Sequence, residues 1–412
     1  MNKEFFIGNR KKFAEKMKDF STAIFFSNTA PRESLDQSHR FSVDRNFFYL
    51  TGLNKENMAL VISKVHGEVT EQMFVPPANE LFEKWYGILL KHNEIEEISG
   101  VSNISDIDGL EASIAGKLSS MDIYENLYIV TTMASMDEIE DNYKALARKV
   151  RNQFPTVNIL NALPILIELR VHKQVEEIEE VKTSIKYTKE ALEFVMKNLK
   201  PGMYEYEVRA NYEYQLMLRN SGPSFATIAA SGKNAVILHY VDLQNKINDG
   251  DLILCDLGAL SNMYASDITR TYPANGKFTQ RQKDLYNIVL GAQDVVMDII
   301  KPGILEKDVN DAVKSYFAKE LKAIKLINDD KEVAKYYYHG VGHPLGLDVH
   351  DLRCRDRKVA ENNIYTVEPG LYIAEEGIGI RIEDDILVTK DGNINLSKDI
   401  IKTVNDIENF MK

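Results

Sequence analysis

Cysteine is scarce: Cys255 and Cys354 are the only two in 412 residues. Two cysteines build neither a disulfide framework nor a four-cysteine zinc site, and they point to a reducing compartment. No run of about 18 apolar residues occurs, so nothing reads as a bilayer-spanning helix. The N-terminal stretch Met1 to Asp19 is charged throughout and lacks the apolar core of a signal peptide. A cationic surplus is missing too. Lys and Arg total 50 against 62 Asp and Glu, a net charge of −12, which argues against nucleic acid or an anionic membrane surface as the main partner. There is no HExxH, no CxxC, no GxxxxGK[ST] and no GxGxxG opening a helix after a strand. What is left is 44% hydrophobic and 27% charged, the composition of a cytoplasmic globular protein. At about 100–200 residues per domain the length allows two or three domains.

The first part of the chain alternates strand-like and helical segments. Phe47–Leu50, ahead of Thr51-Gly52, is strand-like, Met58–Ile62 reads as a buried strand, and Leu127–Val130 as another. Lys144–Arg151 looks helical and Val157–Leu160 extended, an α/β pattern. From Val175 the pattern changes. Apolar Val175, Ile178, Val181, Ile185, Leu192 and Val195 describe one face of an amphipathic helix, ended by Lys200-Pro201-Gly202. A domain boundary belongs just before it, giving an N-terminal α/β domain, 1–172, and a second domain, 173–412. The second domain contains a faint echo. The helix Leu285–Ile300 also ends in Lys-Pro-Gly, at 301–303, and in both places another helix follows and then strands carrying carboxylates. Lys-Pro-Gly is a common helix stop, yet a duplicated α+β unit would gather reactive residues in two matching places.

Those carboxylates carry the chemistry. Leu252–Gly258 and Ser266–Thr271 flank a short polar turn. A two-residue turn at Ser261-Asn262 sets Asp256 opposite Asp267, with Cβ atoms roughly 5 Å apart, where like charges repel. Near the C-terminus, Ile364–Glu368 and Gly379–Glu383 lie around Glu375-Glu376, and a turn there sets Glu368 opposite Glu383. Asp is a poor strand former, so something must compensate these opposed acids, and a divalent cation would. Three of the eight histidines, His339, His343 and His350, fall in one glycine-rich stretch, and His239 sits 17 residues before Asp256. Histidine serves as ligand, acid or base near neutral pH; spacing alone does not rank His339 against His343. His39, His66, His92 and His172 read as structural or surface residues. Four carboxylates with one or two imidazoles suit two divalent ions such as Mn²⁺, Fe²⁺ or Co²⁺ better than a structural zinc. Two ions roughly 3.5–4 Å apart activate a water and polarise a carbonyl, a hydrolase arrangement. Arg381 alternates onto the face of Glu383 and would orient that carboxylate. Asp242 and Asp348 receive no ligand role, and Cys255 points to the opposite face as packing.

The stretches Leu254–Gly258, Ser266–Thr271, His339-Gly340-Val341-Gly342-His343, Val349-His350-Asp351, Thr366–Tyr372 and Gly379–Asp385 resemble the metallopeptidase family of aminopeptidase P and prolidase. The resemblance is strong over residues 173–408. It is looser before them, through Asp44–Gly52 and Trp85-Tyr86-Gly87. It implies an α+β pita-bread catalytic domain of pseudo-two-fold symmetry behind a smaller α/β creatinase-like N-terminal domain. It further implies that Asp256, Asp267, His343, Glu368 and Glu383 bind two metal ions, usually Mn²⁺, with Co²⁺, Fe²⁺ or Zn²⁺ as alternatives, and that Asp267 and Glu383 bridge them. Glu368 would shuttle a proton, His239 and His350 would bind substrate and steady the tetrahedral intermediate, and His339 would be a further active-site histidine. The implied reaction removes the N-terminal residue from peptides with proline second. Prolidase action on dipeptides is the alternative, and a non-catalytic peptide- or protein-binding pita-bread module a remote one. Family members assemble as dimers or tetramers through the N-terminal domain, which would bring Trp85 near a neighbour's site.

Overall fold

The computed structural model describes residues 1–120, 124–132 and 140–412. They fall into two compact units, Met1–Arg170 and Val171–Lys412. The first is built on a six-stranded mixed sheet in the order Ile104–Asp106, Glu68–Val75, Ala59–Val65, Ser21–Phe26, Asn126–Ile129 and Asn158–Asn161. Ser21–Phe26 and Asn126–Ile129 are buried almost throughout, as continuous apolar strands covered on both faces must be. Phe47–Leu50 is not a strand. It lies inside the helix Arg45–Thr51, because Asp44 accepts hydrogen bonds from the Asn46 and Phe47 N–H groups, both at 2.9 Å, and starts a helix there. Gly52, at φ 72°, ends it. A short apolar run reads the same in a strand and in a buried helix; the cap decides.

The second unit wraps helices around antiparallel sheets. Its long first helix runs Val175–Asn198, and Glu205–Met217 packs against it. Gln280–Ile299 and Glu306–Ala323 form a second such pair. One three-stranded sheet joins Ile228–Ser231, Leu252–Leu257 and Ile268–Pro273; one four-stranded sheet joins Pro344–Leu345, Ile364–Val367, Asp384–Thr389 and Gly392–Asn395. Two small hairpins, Leu260–Ser261 with Tyr264–Ala265 and Gly370–Ile373 with Ile378–Arg381, continue them. No described helix is long and apolar enough to cross a membrane.

Registers decide which side chains meet. In the first hairpin the turn is Asn262-Met263, with φ 42° and 70°, one residue later than the sequence predicts. Asp256 therefore stands opposite Thr269, not Asp267. Both central residues take the left-handed conformation of a type I′ turn, whose twist matches that of the strands. The slip is two places, and side chains alternate with period two, so Asp267 keeps the face of Asp256. The second register holds: Ile364–Val367 pairs with Asp384–Leu387, and Gly370–Ile373 with Ile378–Arg381. Glu368 and Glu383 fall in the break between those two ladders. Asp267 sits in the matching break of the first hairpin.

Candidate metal centre

The breaks leave backbone groups to be tied by other means, and the ties bring the acids together. Glu383 N donates to Thr269 O at 3.0 Å, joining the second hairpin to the first. Glu368 N donates to Val341 O at 2.9 Å. His343 N donates to Thr366 Oγ1 at 3.1 Å, and Gly342 is tucked so tightly that a Cβ there would overlap Thr366 O. Asp267 N donates to the buried Asp385 at 3.1 Å. Asp267, His343 and Glu383 each aim one ligand atom into a common point, all within 4.8 Å of one another.

Tautomer and charge follow from partners. His343 Nδ1 lies 3.1 Å from Pro344 O, which only accepts, so Nδ1 carries the proton. Its Nε2 is then a free lone pair, 3.5 Å from Asp267 Oδ2 and 3.6 Å from Glu368 Oε1. Burial pushes Asp267 and Glu383 well above the usual carboxylate range and Glu368 up to about 7. Asp256 Oδ1 and Asp267 Oδ1 are buried without a hydrogen-bond partner. Buried acceptors are rarely left bare. Oxygens without partners, carboxyls that hold protons for want of counter-charge and an imidazole lone pair aimed among them fit divalent cations.

Arg381 does not orient Glu383 directly. Its Nη2 lies 2.5 Å from Asp256 Oδ2 and its Nε donates to Thr269 Oγ1 at 3.0 Å. Thr269 Oγ1 in turn donates to Glu383 Oε2 at 2.6 Å. Glu383 lies beyond the end of the Ile378–Arg381 ladder, so alternation along one strand does not decide the contact. Two residues here escape a reading of the sequence, Thr269 and Tyr372. Tyr372 OH accepts from Arg381 Nη1 at 3.1 Å and lies 2.8 Å from His339 Nε2. His339 Nδ1 faces Gly340 O at 2.7 Å, so Nε2 is the acceptor and Tyr372 the donor. Burial pushes His339 down to about 4 and holds it neutral. Hydroxyls between charged groups leave no periodic trace, although Thr269 falls two residues after Asp267 and Tyr372 four after Glu368.

The centre opens on two cavities. One, of about 400 Å³, is lined by His239, His339, His343, His350, Glu368 and Arg381 among others. The other, of about 500 Å³, adds Phe225, Ile228 and Val241 to His239, His350, Asp256 and Asp267. The His343 and His350 rings meet edge to face, 4.2 Å between centroids. Burial and the neighbouring imidazole push His350 down to about 4. The histidines read as structural or surface residues, His39, His66, His92 and His172, are all exposed, and Cys255 is buried packing.

A basin of buried acids around an imidazole, opening on a peptide-sized cleft, defines a metal-dependent hydrolase. Residues 179–390 match metallopeptidase family M24 and residues 6–148 match the aminopeptidase P N-terminal domain. The chain belongs to metallopeptidase family M24. Xaa-Pro aminopeptidase of Haemophilus influenzae is 33% identical, covering 99% of this chain and 97% of its own. That of Escherichia coli K12 is 31% identical over 100% and 98%. A Bacillus anthracis structure assigned as an aminopeptidase P superposes with a TM-score of 0.97 at 43% identity, over 100% of this chain and 98% of its own. A variant of Escherichia coli aminopeptidase P in complex with substrate gives 0.91 at 29% identity, with 100% and 98% covered. The chain is thus a metallo-aminopeptidase in two parts, an N-terminal domain and an α+β pita-bread domain.

Proposed function

We propose that this metallo-aminopeptidase releases the N-terminal residue from peptides with proline in second position. The observation that carries the reading is that Asp256, Asp267, His343, Glu368 and Glu383 line one cavity, three of them aiming ligand atoms at one point and two carrying bare buried oxygens. It stands on a chain similar over its full length to Xaa-Pro aminopeptidases. The five residues would hold two divalent ions, and their oxygen-rich set suits Mn²⁺ better than Zn²⁺. Such ions supply Lewis acidity toward a carbonyl and lower the pKa of water. The chain's own residues do the rest. Arg381 holds Asp256 in place and, through Thr269, Glu383. Glu368, which lines the same cavity with its Oε1 3.6 Å from His343 Nε2, would pass a proton to the leaving prolyl nitrogen. His239 and His350 line both cavities and would flank the scissile carbonyl, while His339 donates from Nδ1 alone and stays neutral.

Four further readings accompany it. We assign a domain boundary near residue 172, peptides longer than dipeptides as substrates, a cytoplasmic setting and assembly as a homodimer or homotetramer. The match of residues 6–148 to the aminopeptidase P N-terminal domain favours this over prolidase. Leu81, Trp85, Tyr86 and Ile88 stand exposed, at 67%, 75%, 74% and 76%, an apolar patch of the kind that self-association covers. A peptide panel with defined Mn²⁺ tests the function: Xaa-Pro-Yaa-Zaa should be cleaved, Xaa-Ala-Yaa should not, and cleavage of Xaa-Pro alone would make the chain a prolidase. Trp85→Ala should change length selectivity if assembly reaches the site.

A further inference from the structure

Lys173, Glu177 and Asp351 are buried, yet none of them lines either cavity. Lys173 Nζ lies 2.9 Å from Asp351 Oδ2, and both side chains are 1% exposed. Glu177 accepts from Gln174 N at 2.9 Å and from Tyr264 OH at 3.1 Å. Replacing a buried ion pair by apolar side chains of similar size is commonly neutral or stabilising, so stability alone is a weak reason for one. Position is a better reason here. Asp351 directly follows His350, and its N–H donates to Pro344 O, directly after His343, at 2.9 Å. The Asp351 backbone N–H thus closes the loop that carries both imidazoles, and its carboxylate ties that loop to Lys173. Gly346, inside that loop, has no room for a Cβ because the Asp351 carboxylate and the Lys173 stem pass beneath it. Gly346 O accepts from Ala265 N at 2.8 Å, two residues before Asp267. Tyr264, held by Glu177, is the preceding residue.

We propose that Lys173, with Asp351 and Glu177, is a positioning residue that locks the His343–Asp351 loop to the Tyr264–Asp267 hairpin and so aims His343 and His350 into the metal centre. The role of the imidazoles rests on the functional reading above; the locking does not. A double variant, Lys173→Met with Asp351→Leu, replaces the pair by apolar side chains and should hold the wild-type melting temperature. In metal-free protein labelled with ¹⁵N-histidine, its His343 and His350 ring signals should shift or broaden while those of His39, His66 and His92 stay. With Mn²⁺, kcat on an Xaa-Pro-Yaa peptide should fall about 10–100-fold, the range seen when support behind a metal ligand is removed, with KM little changed. Unmoved ring signals overturn the proposal whatever the activity, and so do moved signals with full kcat in an active enzyme. If wild-type protein cleaves no peptide while the ring signals move, the functional reading falls and the locking stands. Should the double variant unfold, Asp351→Asn, which keeps the shape, gives the same readouts at smaller amplitude.

Discussion

Gly202 N donates to Ile247 O at 2.8 Å, and about a hundred residues on Gly303 N donates to Val359 O at 2.9 Å. Glu205 N donates to Asn245 O and Glu306 N to Arg357 O, each at 3.0 Å. Tyr204 bridges Lys246 as Leu305 bridges Lys358. The two halves of the second unit thus repeat one backbone plan, in which the first turn of the second helix grips the returning segment after a histidine loop. The side chains at that grip differ. Glu205 is fully buried and accepts from Ser231 N, Ser231 Oγ, Asn234 Nδ2, Tyr240 OH and Asn245 N, between 2.7 and 3.0 Å. Glu306, in the same place, faces Arg353 at 2.9 Å and Arg357 at 3.7 Å, both partly exposed. The difference teaches that a repeated scaffold fixes where a loop is anchored, while the local partners decide how insulated that anchor is. The side chains proposed to hold the metal divide likewise: Asp256 and Asp267 come from the first half, His343, Glu368 and Glu383 from the second.

The hardest blow to this division removes a ligand at the seam. Asp267→Ala should abolish tight binding of divalent ions, read by calorimetry, and turnover with it; wild-type activity in that variant would remove Asp267 from the centre. Next, Glu205→Ala strands several buried donors and should cost about 3 kcal/mol or more in chemical denaturation. A loss no greater than that of the Glu306 variant would erase the contrast between the anchors. The pH dependence of metal-free protein tests the centre itself. Glu368 is raised from 4.5 to about 7, so its contribution to stability is complete below about pH 4.5 and lost as pH rises through about 7; burial moves Asp267 and Glu383 in the same direction. Thermal melts of chelator-treated protein should show that loss between pH 5 and 8, and Mn²⁺ should reverse it by binding the folded state alone. The smallest effect belongs to Glu306→Ala. Its partners are partly exposed, so the cost should stay below about 1 kcal/mol and shrink further with added salt.

Much of this was open to a reader of the sequence, for reasons that are local. The apolar spacing from Val175 marks a helix whatever surrounds it, and the Glu375-Glu376 turn set Glu368 against Glu383 in the register observed. The first hairpin turns one residue later than its polar residues suggest, since the conformation of Met263 at φ 70° is not one its side chain advertises. Phe47–Leu50 has the apolar run of a strand, but Asp44 ahead of it is the cap that makes it helical.

The sequence by itself determined the residue types of the centre, their order and the face each occupies, because periodicity and turn placement act over a few residues. Only the tertiary structure decided which of them touch. Arg381 reaches Asp256 and Thr269 from another hairpin, Tyr372 sits between Arg381 and His339, and Lys173 finds Asp351. These partners lie on segments brought together by packing, and the pairing of a buried charge depends on the nearest opposite group in space, whatever its distance along the chain.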